Sequence, residues 1–511
     1  MALLSPDDEA LLKRAYQRVQ DGALLPGDER YQPLYSDLAE DDPVQRLRQH
    51  VEWTEVESIQ LFTGFRGSGK TTELLRLCAE LGDPEAAQLA PDAQVQARAG
   101  MAAPPPAAVP PVGTRAAPAA DRVRTVVLYG DALRYVSSGD PIEIAELLWV
   151  VAGAFSDAVE NHPGLQFDLA GRTWWQRAWD YLNRTSLTIS EATVKAEGDS
   201  PAASLLGGVK AGIELKVALR SDPAFRTRLQ QFLAPRLAAV QSEVAAFVEE
   251  GVKLIRKQCG SACRVVFLFD SLEKIQGTRF TEDEVRGSVT RLFSQHLDDL
   301  RLPGVHVVCT VPPWLEFAVP NLLEPIRVPG VPLWRNDAGR TVRPDRVSTL
   351  RQAILRRFGE DGYERFFGTP ADLSLVDLSL VDPLVQASGG HLLDALMLLR
   401  EVLLAAQRAG AVPVTPEVVA RAIARVRRQY AHPSVRDAHR LAQIAETRQP
   451  IRRDDSSAEV YWLTRLLDTR FVLYFRNGAD WYDIHPLARE AVAELCRQFP
   501  EPPSLPRPPT P

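Results

Sequence analysis

The sequence predicts an α/β protein: a three-layer core around a parallel sheet, then a helical unit, then a C-terminal domain of helices and a hairpin. Three features carry that prediction. The first is Gly64-Phe65-Arg66-Gly67-Ser68-Gly69-Lys70-Thr71, which follows the apolar run Ile59-Gln60-Leu61-Phe62 and opens the helical pattern Thr72-Glu73-Leu74-Leu75-Arg76-Leu77. The second is Arg264-Val265-Val266-Phe267-Leu268-Phe269-Asp270, a short β-branched and aromatic run that ends in an acid. The third is a pair of alternating runs around Asn477-Gly478, between Phe471 and Pro486.

The glycine-rich stretch matches G-x-x-x-x-G-K-[ST] in the strand–loop–helix setting that gives this pattern its mechanism. Glycines let the backbone wrap closely around phosphates, and loop N–H groups at a helix N-terminus supply positive potential. Gly64, Phe65, Arg66, Gly67, Ser68, Gly69, Lys70, Thr71 and Thr72 are therefore the candidate nucleotide-binding residues. Lys70 is placed to reach the β- and γ-phosphates, and the Thr71 hydroxyl to sit on Mg²⁺. The core is expected to have the P-loop NTPase fold. No guanine-reading N-K-x-D follows, which favours ATP.

The run that ends at Asp270 reads as a buried strand of a parallel sheet. An acid at its C-terminal end faces the crevice where open α/β sheets bind ligands. Asp270 is the candidate partner of Thr71 in holding Mg²⁺. Glu273 lies just beyond. It is the candidate to polarise the attacking water, with a local pair to Lys274 as the alternative.

Composition bounds the rest. The chain has 511 residues, 45% apolar and 24% charged, with a net charge of −7. That is ordinary for a globular protein of several domains and gives no general support for nucleic-acid binding. Five cysteines without regular spacing suggest reduced thiols; Cys259 and Cys263 form a C-x-x-x-C pair that no nearby ligand completes into a zinc set. The N-terminus lacks signal-peptide character and no apolar run approaches the ~20 residues of a membrane span, so a cytoplasmic location is expected.

Along the chain, residues 1–50 read as a helical lead-in, in which Tyr31 and Tyr35 are packing residues or, alternatively, flank an adenine. Residues 51–345 form the core. Within it, 84–121 is rich in Ala, Pro and Gln and reads as a disordered excursion. Thr125 to Asp131 is a second strand, and Ile142 to Val159 a helix. Residues 160–258 are a mostly helical insertion. There, Ser186 to Ala196 and Ile213 to Leu219 suggest a small hairpin, and Asp222 to Gln258 one long helix that packs on the core or binds a partner. Val305 to Thr310 is another strand, with Thr310 at its end beside the γ-phosphate position. Glu324 to Val328 is a possible edge strand bearing an exposed Arg327. Residues 346–410 form the helical unit, broken at Ala387-Ser388-Gly389-Gly390-His391. Residues 411–499 pair helices with the Asn477-Gly478 hairpin, a winged-helix pattern. Residues 500–511 are a Pro-rich disordered tail.

Taken together, GFRGSGKT, VVFLFDSLEK, HVVCT, SGGHLLDALMLLR and the terminal hairpin resemble the AAA+ and STAND group of P-loop ATPases, nearest to bacterial regulatory ATPases with a helical lid and a winged-helix domain. The resemblance covers roughly residues 50–80, 125–160 and 264–495. It implies that Lys70, Asp270 and Glu273 are catalytic and that Thr71 and Asp270 hold the metal. It also implies that Thr310 and His391 are sensors, and that Arg327 is the arginine finger acting in a neighbouring subunit. The lid lacks the usual arginine after its glycine break, where His391-Leu392-Leu393 stands, and that suits a slow switch. Three functions stay open. One is an ATP-dependent switch with a protein partner or self-association, in bacterial signalling or anti-phage defence. Another is a DNA-binding ATPase of origin or transposition type. The third is a nucleotide-bound scaffold without turnover. For DNA binding, residues 415–495 hold 13 arginines and no lysine against 11 acids, a small excess, although Arg425, Arg427, Arg428, Arg452 and Arg453 could cluster.

Overall fold

Five parallel strands form the central sheet of this computed structural model, in the order β2-β3-β4-β1-β5. The structure describes residues 4–19, 22–35, 42–91, 123–166, 173–184, 207–278, 280–337, 339–368, 380–450 and 456–500. β1 is Ser58–Gly64, β2 Thr125–Asp131, β3 Arg264–Asp270, β4 Val305–Val311 and β5 Ile326–Val328. Each is a short run of apolar residues because helices cover both faces of the sheet and leave neither side to water. β1 pairs with β4 from Ser58 opposite His306 to Thr63 opposite Val311, and β3 pairs with β2 so that Asp270 lies opposite Asp131. All the strands run the same way, so their C-terminal ends open on one edge. The phosphate loop leaves β1 on that edge.

The helix Ile144–Asn161 covers one face and packs on the helix Leu237–Cys259. Phe155 meets Phe247 edge-on at 6.5 Å and Phe267 of β3 at 5.9 Å. Several expectations change here. The segment expected as one long helix is two, Pro223–Leu233 and Leu237–Cys259, because Pro235 cannot continue the first. The expected hairpin strand Ile213 to Leu219 is helical, within Gly207–Ser221. Leu215, Ala218 and Leu219 are buried together, a spacing of three and four rather than two. Its proposed partner, 186–196, lies outside the described residues. The start of the Ala/Pro-rich excursion is also ordered. Pro84–Leu89 forms a 3-10 helix with Ala86, Ala87 and Leu89 buried, and the Val127 N–H donates to Asp83 at 2.8 Å. Residues 92–121 and the tail 501–511 lie outside the described residues.

After the sheet come the lid helices Pro344–Leu355, Glu360–Phe367, Asp382–Ala387 and Leu392–Ala409. The N-terminal helix Pro6–Arg18 packs against the last of these, whereas the helix Pro43–Trp53 packs on the core, against β5 and the helix Lys70–Glu80. The helices Pro416–Arg427, Val435–Thr447 and Ser457–Asp468 then precede an antiparallel hairpin of β6, Val472–Arg476, and β7, Asp480–Ile484, with Tyr474 opposite Tyr482. That is the expected winged-helix arrangement, and the helix Arg489–Gln498 closes it. Among the described residues no helix is long and apolar enough to cross a membrane.

Candidate functional site

The phosphate loop is shaped by two residues in the left-handed region, Gly67 at φ 82° and Gly69 at φ 96°. Gly67 also packs under the lid. A Cβ there would lie 2.4 Å from Leu393 Cβ, so only glycine lets the lid helix sit this close. The helix Lys70–Glu80 starts directly at the loop and has no side-chain cap, which leaves its first N–H groups for a ligand.

The side chains of the motif converge with those of β3. Thr71 Oγ1 donates to Asp270 Oδ2 at 2.7 Å, and Tyr129 of β2 donates to the same oxygen at 2.8 Å. Ser271 N–H donates to the other, Oδ1, at 2.7 Å. Burial pushes the Asp270 carboxyl above its ordinary pKa, and the nearby Glu273 charge adds to this. Lys70 Nζ donates to the Gly64 and Phe65 carbonyls at 2.9 and 3.1 Å and pairs with Glu273 Oε1 at 3.3 Å. Burial opposes ionisation of Glu273, but Lys70 and then the Thr310 hydroxyl outweigh it and hold its pKa below the usual value. Lys274 donates instead to Ser271 Oγ at 3.0 Å, so the local Glu273–Lys274 pair does not form.

A cavity of about 240 Å³ opens beside the loop. Lys70, Thr71, Thr72 and Glu273 line it, together with Leu24 and Tyr31 of the N-terminal segment and Leu393 and Leu396 of the lid. Leu24 N–H donates to Thr72 Oγ1 at 3.1 Å and fixes that wall. Tyr31 faces the cavity, whereas Tyr35 is buried and donates to Pro329 O at 2.7 Å. Glu73 lies behind Tyr31, and burial raises its pKa to about 7 against the pull of Arg76.

The sensors divide. Thr310 lies inside β4, not at its end, since the strand continues to Val311; its buried side chain still faces Glu273. His391 does not line the cavity. It sits behind the loop, edge-on to Phe65 at 6.5 Å, and pairs with Asp394 at 2.9 Å. Asp394 is also paired with His485 at 3.3 Å and Arg470 at 3.1 Å, both from the winged-helix unit. Burial opposes this charge, yet the two histidines hold the Asp394 carboxyl well below the usual range. Arg327 is not exposed on a loop. It lies within β5, its side chain only 16% exposed, paired with Glu316 and, at 3.2 Å, with Asp480. Strand pairing to β1 fixes its direction, which a lone arginine in the sequence does not reveal.

Three arginines on the cavity wall, Arg18, Arg30 and Arg357, escaped the sequence reading. Arg357, just past the first lid helix, is buried, lines the cavity and donates to Arg30 O. Burial, then repulsion from Arg30, lowers its pKa to about 10, so it stays charged. The signal for Arg357 is the Arg356-Arg357 pair at a helix end. Of the expected basic cluster, Arg425 pairs with Glu401 and Arg427 with Glu490, and 452 and 453 lie outside the described residues. Cys259 and Cys263 are free thiols, and no group of His, Cys, Asp or Glu among the described residues could hold a metal by itself.

The donor set fits a triphosphate and a hard cation. Among the described residues, Ser68 Oγ is buried beside the loop without a hydrogen-bond partner, and buried Thr310 Oγ1 and Glu273 Oε2 have none beyond the contact between these two residues. Such groups are costly unless a ligand or water satisfies them. A hydroxyl and a carboxylate oxygen, Thr71 and Asp270, are the ligand type Mg²⁺ takes.

No family model matches the chain, and no curated protein matches it. Solved structures do. A Drosophila ORC structure bound to DNA is 12% identical with a TM-score of 0.34, covering 96% of this chain and 93% of that one. The Aeropyrum pernix ORC2 protein is 10% identical with a TM-score of 0.31, covering 94% and 98%. Cdc6p from Pyrobaculum aerophilum is 12% identical with a TM-score of 0.30, covering 97% and 99%. The sheet order, the phosphate loop after β1 and the acid at the end of β3 give the core its P-loop NTPase fold.

Proposed function

We propose that this protein is an ATP-binding and ATP-hydrolysing switch of the AAA+/STAND kind, in which the nucleotide state sets the lid against the winged-helix unit. The observation that carries the reading is the Thr71–Asp270 contact at 2.7 Å, with Lys70 and Glu273 at 3.3 Å beside it. Mg²⁺, when bound, neutralises charge on the transferring phosphoryl group. Thr71 and Asp270 would hold it. Lys70, already held by two loop carbonyls, exchanges part of this bonding for phosphate oxygens. Glu273, kept ionised by Lys70, is the group to orient a water and accept its proton. Tyr31, Leu24 and Leu396 offer an apolar slot for the base.

The coupling reading rests on two contacts. Leu393 lies directly over Gly67, and Asp394 one residue on is ion-paired to Arg470 and His485 of the winged-helix unit. A ligand that moves the loop therefore presses on a helix tied to that unit. Leu467 and Asp468 of the same unit line a second cavity beside Phe65 and Glu273. By resemblance, such a switch acts in signalling or defence with a protein partner.

The test is nucleotide binding by Lys70→Ala. Charge-assisted hydrogen bonds contribute about 1.5–3 kcal/mol each, so loss of Lys70 should weaken ATP binding by roughly 10- to 100-fold. Unchanged affinity in a folded variant rejects the site. A DNA-handling role is the second reading, favoured by the helix–hairpin arrangement of residues 416–484. Salt-dependent retention on duplex DNA checks it.

A further inference from the structure

A cavity of about 420 Å³ lies between the lid and the winged-helix unit and shares no lining residue with the nucleotide cavity. Trp334, Arg340, Gln386, Arg427 and Arg489 line it. Its charge is unbalanced. Arg340, Arg448 and Arg489 all converge on a single carboxylate, Asp483, which is 4% exposed. Arg427 is matched by Glu490, but no other ion pair among the described residues serves the three arginines around Asp483. Three guanidiniums on one acid leave an excess of positive charge in a partly buried place, where it is poorly screened. Burial lowers the Arg489 pKa; Asp483 opposes this, and Arg340 and Arg448 add to it. The helix Arg489–Gln498 begins here, running on from the 3-10 turn Pro486–Ala488.

We propose that this cavity is a second ligand site, for a small phosphorylated molecule with a planar body, its phosphate held by Arg340, Arg427 and Arg489 and its ring by the Trp334 indole. Guanidinium forks match phosphate oxygens in pairs, and a half-buried indole offers a stacking face. The volume suits a ligand of mononucleotide size. A duplex backbone fits less well. The site is concave, walled by Gln386 and Ala387 of the lid and by Pro486 and Leu487. The helix Ser457–Asp468 before the hairpin carries one arginine against two acids. An occupant bridges residues 386–387, beside the Gly389-Gly390 bend, to Arg489 of the winged-helix unit. It therefore fastens the lid to that unit.

Pyrophosphate and AMP are titrated calorimetrically into Lys70→Ala protein, whose phosphate loop is disabled, so that failure here and failure of the ATP reading stay separate. Both probes should bind. Arg489→Gln and Arg340→Gln should each weaken both by at least tenfold, while Trp334→Leu weakens AMP alone. Either arginine variant leaves Asp483 two partners, so folding should survive, and the unfolding midpoint checks that. No binding by either probe at millimolar concentration overturns the proposal, as does affinity in both arginine variants equal to that of the Lys70→Ala parent. Duplex DNA held by the same arginines more tightly than AMP also overturns it and makes the cavity a backbone contact.

Discussion

Thr71 and Asp270 stand 199 positions apart and share a hydrogen bond of 2.7 Å. β1 and β3 are separated in the sheet only by β4, so the loop after one and the acid ending the other meet on the same edge. Tyr129 and Ser271 fix the acid from two further directions.

Asp270→Asn should keep the fold: its amide oxygen can still accept from Thr71 and Tyr129, and it removes a buried charge from beside Glu273, at the cost of the bond from the Ser271 N–H, which the unfolding midpoint reads. Nucleotide affinity measured in EDTA should be unchanged. The gain in affinity on adding Mg²⁺ should fall by roughly tenfold or more, the value of one charge-assisted contact. A full Mg²⁺ effect in this variant would assign the metal elsewhere.

Glu273→Gln preserves a partner for Lys70 but cannot take a proton. Phosphate release should drop by about 10²–10⁴-fold, the usual contribution of a general base. ATP affinity should hold within a few-fold. Turnover at the wild-type rate removes Glu273 from the chemistry and leaves the turnover-free scaffold standing only if wild type is itself inactive.

Arg327→Gln distinguishes a strut from a finger. As placed, Arg327 holds Glu316 and Asp480, joining β5 to the hairpin. Its loss should lower unfolding stability by about 1–3 kcal/mol through the unpaired acid, with turnover per folded molecule unchanged. A large loss of turnover at intact stability indicates that the residue swings out to act on a neighbouring subunit.

His306 predicts a pH effect. It is buried, hydrogen-bonded with Ser58 at 2.9 Å, and burial, then Arg264 and Arg256, lower its pKa to about 4. The unfolded chain takes up this proton near pH 6.5, the folded chain only near 4. The stabilisation is therefore complete above pH 6.5 and is lost as pH falls toward 4, about 3 kcal/mol in all. Denaturant titrations at pH 7 and 4.5 should show wild type losing stability relative to His306→Gln. Parallel losses in the two proteins would count against it.

Four core strands, the phosphate loop between Gly64 and Thr71, the break at Gly389-Gly390 and the hairpin at Asn477-Gly478 were legible from residue order alone. Each is written locally, in side-chain period or in residues that tolerate unusual backbone angles. Tertiary structure decided what those pieces face. Alternation in 213–219 was too short to separate strand from helix until burial of Leu215, Ala218 and Leu219 chose the helix. Arg327 reads as solvated until β5 docks on β1, and Arg357 becomes a cavity residue only because the lid folds back over the N-terminal segment. Charge and exposure depend on neighbours distant in the chain: burial pushes the Asp270 carboxyl up, whereas Lys70 outweighs burial and holds Glu273 down.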